Sequence, residues 1–321
     1  FRIVSGFSGG VKLIDKPSPI RLMKACKNKT ELFNLRKAHI YDGAAVTRFI
    51  MWVKKNVGKI DIDEVSAADY LEERRRELPD FIDLSFDTIC AYNANAAMMH
   101  YSAKPETAAK LEPSGMLLVD SGGHYLTGST DITRTMILGK VSDKEKRDFT
   151  AVLKSMLALA RLKFLHGCTG QNVDILCRSQ LWKYGIDYRC GTGHGVGYLL
   201  NIHEGPNSIH WNWFPGRTSN TVFEEGMVTT DEPGVYIEGE YGIRTENELV
   251  CRKAEKNEYG QFMEFEDLTF APIDLDGIIP EMLTFEEKEQ LNRYHRMVYQ
   301  ELSPIMTEEE RKVLAEYTRE I

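Results

Sequence analysis

An α+β fold is predicted by three observations. Apolar positions recur at helical spacing over two long stretches, Leu32 to Val53 and Phe149 to Leu162. Strand-like runs gather elsewhere, around 117–135 and 195–251. The two kinds do not alternate as regular βαβ units, so helices flanking one extended sheet are expected in place of a doubly wound architecture.

In chain order, residues 1–24 carry Gly6, Gly9, Gly10, Pro17 and Pro19 without a sustained helical period and read as a linker or the tail of an upstream domain. The start at Phe1, with no signal-type apolar segment, fits an excised part of something longer. Asn28 and Glu31 make a capping box for a long amphipathic helix reaching Gly58. Ser66 and Asp69 open a second helix that Pro79 ends, and its Arg74-Arg75-Arg76 run reads as a solvated face. From Ser85 to Tyr101 the pattern is strand-like with a turn at Asn93 and Asn95, which puts His100 at the end of an apolar strand. Ser142 and Glu145 cap the next helix, with Gly167 as its stop, and another helix spans 172–182. Strands then follow at Gly195 to His203, Met227 to Thr230, Val235 to Ile237 and Thr245 to Cys251, interrupted by a loop from Trp211 to Gly216. Residues 272–321 return to helix with capping boxes at Thr284/Glu287 and Thr307/Glu310.

Composition narrows the function classes. The chain of 321 residues has 40 basic and 48 acidic side chains, a net charge of −8, with no basic block suited to nucleic acid or an anionic membrane surface. Its longest apolar runs fall far short of the ~20 residues of a membrane span. Six cysteines, Cys26, Cys90, Cys168, Cys177, Cys190 and Cys251, lack CxxC spacing and fit free thiols in a reducing cytoplasm.

The chemistry-bearing residues lie in five words. Leu117-Leu118-Val119-Asp120-Ser121-Gly122 and Thr130-Asp131-Ile132-Thr133-Arg134-Thr135 place two carboxylates across a hairpin, in sequence that otherwise favours burial. Gly191-Thr192-Gly193-His194-Gly195-Val196-Gly197 sets an imidazole among glycines, whose backbone can approach a bound group closely. Thr230-Asp231-Glu232-Pro233 ends an apolar strand on a carboxylate, and Gly242-Ile243-Arg244-Thr245-Glu246-Asn247 puts Arg244 and Glu246 two residues apart, on one face of a strand. Singly, each has a plain structural reading as a turn former, loop histidine or surface pair. Together, four carboxylates and one imidazole describe a two-metal site for Mn²⁺, Co²⁺ or Zn²⁺.

The order Asp120, Asp131, His194, Glu232, Glu246 within these words resembles the pita-bread metallopeptidases, and is most similar to the aminopeptidase P (Xaa-Pro aminopeptidase) branch, over nearly all of 25–315. The stretches Phe265 to Asp274 and Leu291 to His295 resemble the C-terminal extension of the long, three-domain form, in which two smaller domains precede the catalytic one. The resemblance implies a curved, mainly antiparallel sheet in two pseudo-symmetric halves covered by helices. It divides the chain into an upstream remnant at 1–24, a catalytic domain at 25–271 and a helical extension at 272–321.

It also implies release of the N-terminal residue from peptides with proline second, through attack by a hydroxide bridging two metals, with Mn²⁺ the expected ion. Asp120 would bind one metal, His194 and Glu232 the other, and Asp131 and Glu246 both. Glu232 would also move the proton, His100 and His203 would line the substrate cleft, and Arg244 and Tyr236 would orient the ligands. The family's histidine four residues before the metal histidine is Cys190 here, read as a small buried neighbour of the site and not as a nucleophile. The apolar Trp211-Asn212-Trp213-Phe214 loop reads as a pocket wall, with a subunit contact as the alternative. A homodimer of the full-length protein is implied as well. The alternatives are a prolidase acting on Xaa-Pro dipeptides and a metal-free, peptide-binding pita-bread module.

Overall fold

The computed structural model describes residues 16, 18–212 and 220–321. Helices start where side chains can satisfy the free N–H groups of a first turn. Asn28 caps α2 (Lys29–Asn56), Ser142 caps α4 (Asp143–Ala160), Thr284 caps α6 (Phe285–Leu302) and Thr307 caps α7 (Glu308–Tyr317), each with the reciprocal glutamate three residues on. The box of α3 (Glu64–Arg76) is Asp63 with Ser66, not Ser66 with Asp69, so that helix starts three residues earlier than the sequence pattern suggested. Before these, Pro19–Ala25 forms a short helix, α1, where a non-helical linker was expected, and the rest of that stretch, 1–15 and 17, lies outside the described residues.

The strands are β1 (Phe81–Leu84), β2 (Ile89–Tyr92), β3 (Met116–Ser121), β4 (Gly123–Tyr125), β5 (Gly128–Ser129), β6 (Ile132–Ile137), β7 (Lys163–Leu165), β8 (Gly193–Val196), β9 (His203–Ile209), β10 (Val228–Asp231), β11 (Gly234–Ile237), β12 (Tyr241–Arg244), β13 (Asn247–Asn257) and β14 (Gly260–Asp267). α5 (Gly170–Trp182) lies between β7 and β8. The named strands pair antiparallel throughout, in the orders β2-β3-β6, β1-β4-β5, β11-β12 and β7-β14-β13-β10-β8-β9. The α+β class and the antiparallel pairing are those expected from the sequence.

Burial decides the layering. Val46, Phe49, Ile50 and Val53 of α2 pack with Ala67 and Leu71 of α3 onto Leu117, Val119, Ile132 and Met136 of the β3–β6 pair. At about 1.5–3 kcal/mol per buried large apolar side chain, that contact secures the sheet on whose central strand Asp120 sits. α4 packs on the β11–β12 pair, and its Phe149 and Leu153 lie in one core with Leu291 and Val298 of α6, so the C-terminal helices share a core with the rest of the chain.

Four local expectations are corrected. α4 ends at Ala160, not Gly167, because Lys163–Leu165 leaves the helix to pair with β14. His100 lies in a turn, not in a strand, because the chain leaves β2 through a 3₁₀ turn at Asn93–Ala97, begun by Asn93 at φ 47°. Gly195 to His203 is not one strand: β8 stops at Val196 and β9 starts at His203, with Leu200 at φ 77° between them. Arg75 is not solvated; it is fully buried against Asp42.

Candidate metal centre

The β3–β6 ladder brings the first two carboxylates together. Asp120 pairs with Thr133 and Ser121 with Ile132, so Asp131, just ahead of β6, reaches the end of β3 where Asp120 stands. Between them a β4–β5 hairpin joins a separate sheet, so the connection is more than a turn. Gly122 is required here, since a Cβ on it would lie 1.8 Å from the Thr130 carbonyl oxygen.

The other three come from the larger sheet and its neighbour. His194 is on β8, whose Gly193 lies so close to β10 that a Cβ would come within 2.0 Å of Thr230 O. The His194 Nδ1 faces the Gly195 carbonyl at 3.0 Å. A carbonyl can only accept, so Nδ1 carries the hydrogen and Nε2 is the nitrogen turned to the cleft. Glu232 follows β10, anchored by its N–H to Thr192 O at 2.8 Å. Its Oε1 accepts from Thr230 Oγ1 at 3.0 Å. Glu246 lies in the gap between β12 and β13, not on a continuous strand with Arg244 as the sequence suggested. Its N–H donates to Thr133 O at 3.1 Å and its Oε2 accepts from Thr133 Oγ1 at 2.6 Å.

These side chains converge. One ligand atom each from Asp131, His194 and Glu246 lie within 4.8 Å of one another. His194 Nε2 is 3.4 Å from Asp131 Oδ2 and 3.6 Å from Glu232 Oε1. Asp120 lines the same cleft; its Oδ2 accepts from Arg244 Nη2 at 2.5 Å, while its buried Oδ1 has no hydrogen-bond partner. Arg244 also donates to Tyr236 OH at 2.7 Å and to Thr133 Oγ1 at 3.1 Å.

Four carboxylates around one guanidinium are strongly unbalanced. Burial, and then the charges of Asp120 and Glu232, push the Asp131 carboxyl well above its ordinary range. Burial, and then Asp131, Glu232 and Asp120, do the same to Glu246. A site of hard oxygen donors with one imidazole, an orphaned carboxylate oxygen and excess negative charge suits divalent cations.

The surrounding cleft, of ≈ 350 Å³, collects every residue predicted to act: Asp120, Asp131, His194, Glu232, Glu246, His100, His203, Arg244 and Tyr236. Phe86, Ile89, Met99 and Tyr101 give it an apolar wall. The His203 ring meets His194 edge-on at 4.2 Å, and burial, then His194, lower its pKa to about 4, so it is neutral at neutral pH. Cys190 lines the cleft as a thiol pushed up to about 12 by burial and then by Glu232, which leaves it a poor nucleophile. Trp211 lies in a separate pocket beside Cys190; Trp213 and Phe214 fall outside the described residues. Sequence reasoning missed Thr133 and Thr230, whose hydroxyls hold Glu246 and Glu232. A spacing of two carried that signal, from Asp131 to Thr133 and from Thr230 to Glu232.

The description of metallopeptidase family M24 matches residues 34–253, and that of the C-terminal region of peptidase M24 matches 261–321. A protein of Arabidopsis thaliana named Aminopeptidase P1 is 40% identical over 334 residues, covering 97% of this chain and 51% of its own length. A probable Xaa-Pro aminopeptidase P of Paracoccidioides brasiliensis is 41% identical over 307 residues, covering 94% of this chain and 49% of its own. The crystal structure of a Caenorhabditis elegans X-prolyl aminopeptidase, described as a cytosolic enzyme with a di-nuclear active site, superposes with a TM-score of 0.89 at 35% identity, over 95% of this chain and 50% of that one. The chain thus spans about half the length of the relatives it matches.

Proposed function

Since the chain belongs to metallopeptidase family M24, we propose that its protein is a metal-dependent aminopeptidase that releases the N-terminal residue from peptides with proline second. The observation that carries this reading is the convergence of Asp131, His194 and Glu246 with Glu232 and Asp120 in one cleft. The names and the di-nuclear site of the relatives support it.

In this reading Asp120, Asp131, His194, Glu232 and Glu246 would together hold two divalent cations. Bound there, two cations would lower the pKa of water and polarise the scissile carbonyl. The chain's own residues do the rest. Glu232, partly open to the cleft, accepts a proton and returns it to the leaving proline nitrogen. His203, held neutral, can donate a hydrogen bond to a developing oxyanion, and His100 shares its side of the cleft. Arg244 fixes Asp120 and Tyr236 in orientation. The apolar wall of Phe86, Ile89 and Met99 offers a surface for a pyrrolidine ring, while the tertiary Xaa-Pro amide has no N–H to satisfy.

Manganese as the working ion, a cytoplasmic location and a homodimer are the finer parts of the proposal. Free cysteines and the cytosolic nematode relative support the location, and among the described residues no helix is long and apolar enough to cross a membrane. Sedimentation of the full-length protein tests the dimer. Activity is tested with full-length protein, Mn²⁺ and paired Xaa-Pro and Xaa-Pro-Yaa peptides. Release of Xaa from the longer peptides, abolished by chelator, is the expected result. Cleavage of the dipeptides alone would make it a prolidase, and no cleavage of either would refute the reading.

A further inference from the structure

We infer that Arg134 and Tyr294 are positioning residues of the metal centre, through which helix α6 of the C-terminal region holds the carboxylate of Glu246 in place. This rests on the metallopeptidase reading and adds to it a task for Tyr294, which lies in the 261–321 matched to the C-terminal region of peptidase M24.

Glu246 is exposed to misplacement by its backbone setting. It sits between the end of β12 at Arg244 and the start of β13 at Asn247, where no strand ladder fixes it. Its position depends on Thr133, joined to it by the backbone bond of 3.1 Å and the side-chain bond of 2.6 Å. Arg134 clamps that junction from the side. Its Nη1 donates to the carbonyls of Thr133 at 2.8 Å and Glu246 at 2.5 Å. Its Nη2 donates to Asn247 Oδ1, Ala271 O and Tyr294 OH, and its Nε to Pro272 O. All six acceptors are neutral oxygens, so this buried guanidinium acts as a directional brace and not as half of a contact ion pair.

Tyr294 ties the brace to α6. Its hydroxyl accepts from Arg134 at 2.8 Å and lies 2.9 Å from Ala271 O, 3.1 Å from Thr269 O and 3.3 Å from Asn247 Oδ1. With one proton it can satisfy only one of the three at a time, and each belongs to the segment or residue that Arg134 also grips. The next residue, His295, accepts the Ile273 N–H at Nε2, 3.1 Å away. Two consecutive residues of α6 thus hold 269–273 against the back of Glu246.

The test measures Mn²⁺ affinity by titration calorimetry, and the electron paramagnetic resonance of bound Mn²⁺, in full-length wild type, Tyr294→Phe and Arg134→Lys. The expected result is roughly 10- to 100-fold weaker binding at one of the two ions and an altered resonance of the metal pair. Tyr294→Phe keeps the ring in its packing, so it decides the matter if Arg134→Lys does not fold. A Tyr294→Phe protein with a lower melting temperature but wild-type affinity and resonance would make the network merely structural and overturn the inference. Wild type that binds two Mn²⁺ yet cleaves no Xaa-Pro peptide refutes the substrate reading, while the variants still decide this one. Wild type that binds no divalent ion refutes both.

Discussion

Two regions of this molecule bury carboxylates as completely as a protein can, and they resolve the cost in opposite ways. Asp42, on α2, is 0% exposed and meets Arg75 of α3 through Nε at 2.7 Å and Nη2 at 3.1 Å, with the Tyr125 hydroxyl at 2.5 Å. Burial alone would raise its pKa, but the Arg75 charge and the bonds from Arg75 and Tyr125 outweigh that and hold it low. Asp131 and Glu246 are equally enclosed, yet their near neighbours are more carboxylates, and both are driven up. Arg244, the guanidinium in that cleft, binds Asp120 directly and cannot balance four acids. The chain supplies a cation beside Asp42, and gathers Asp120, Asp131, Glu232 and Glu246 around one guanidinium in the proposed metal centre.

Substitutions can break this contrast, and the largest effect is on catalysis. Asp131→Asn or Glu246→Gln should lower Xaa-Pro-Yaa hydrolysis by roughly 10³ or more, at least about 4 kcal/mol of barrier, with loss of bound metal by elemental analysis. Next, Asp42→Asn strands the buried Arg75 and should cost about 3–5 kcal/mol in urea unfolding. In chelator-treated protein Asp131→Asn should act the other way and raise stability, because it removes a carboxyl whose ionised form burial and the neighbouring carboxylates disfavour. If both substitutions destabilised the metal-free chain alike, the two regions would not differ as described. Tyr125→Phe removes one donor from Asp42 and leaves Arg75 in place, so a smaller loss, about 1.5–3 kcal/mol, is expected by the same measurement.

The mildest effect concerns pH. His295 is buried beside the Ile273 N–H, and burial, then the Arg134 charge, lower its pKa to about 3. The unfolded imidazole titrates near about 6.5, so between these values the unfolded chain binds a proton that the folded chain refuses. Stability should therefore fall as pH drops from about 6.5 towards 3. Unfolding midpoints at pH 7 and pH 5 check this: His295→Gln, which keeps an acceptor for Ile273, should flatten the wild-type slope.

What could be read from sequence followed the range of the physics involved. Capping boxes at Asn28, Ser142, Thr284 and Thr307 are local rules and appear as read. The five words whose side chains meet in the cleft were legible because close backbone approach at Gly122 and Gly193 and strand ends near Asp120 and Glu232 leave a local imprint. The partnership of Arg75 with Asp42 was not, since an arginine run on a helix looks the same whether its middle member faces water or a carboxylate on another helix. β14, the long partner of β13, was missed for a related reason: its burial alternates only in part, and pairing partners set its extent. The sequence points to Glu246 as a candidate ligand, but its place in a strand gap depends on Thr133 and Arg134, more than a hundred residues away, which no local pattern records.

The most direct test of the central claim is the metal content of full-length protein purified without chelators, equilibrated with Mn²⁺ and freed of excess. The account predicts two ions per chain in wild type and fewer in both Asp131→Asn and Glu246→Gln. A wild-type chain that retains none, or two ions kept undiminished by both variants, would contradict it.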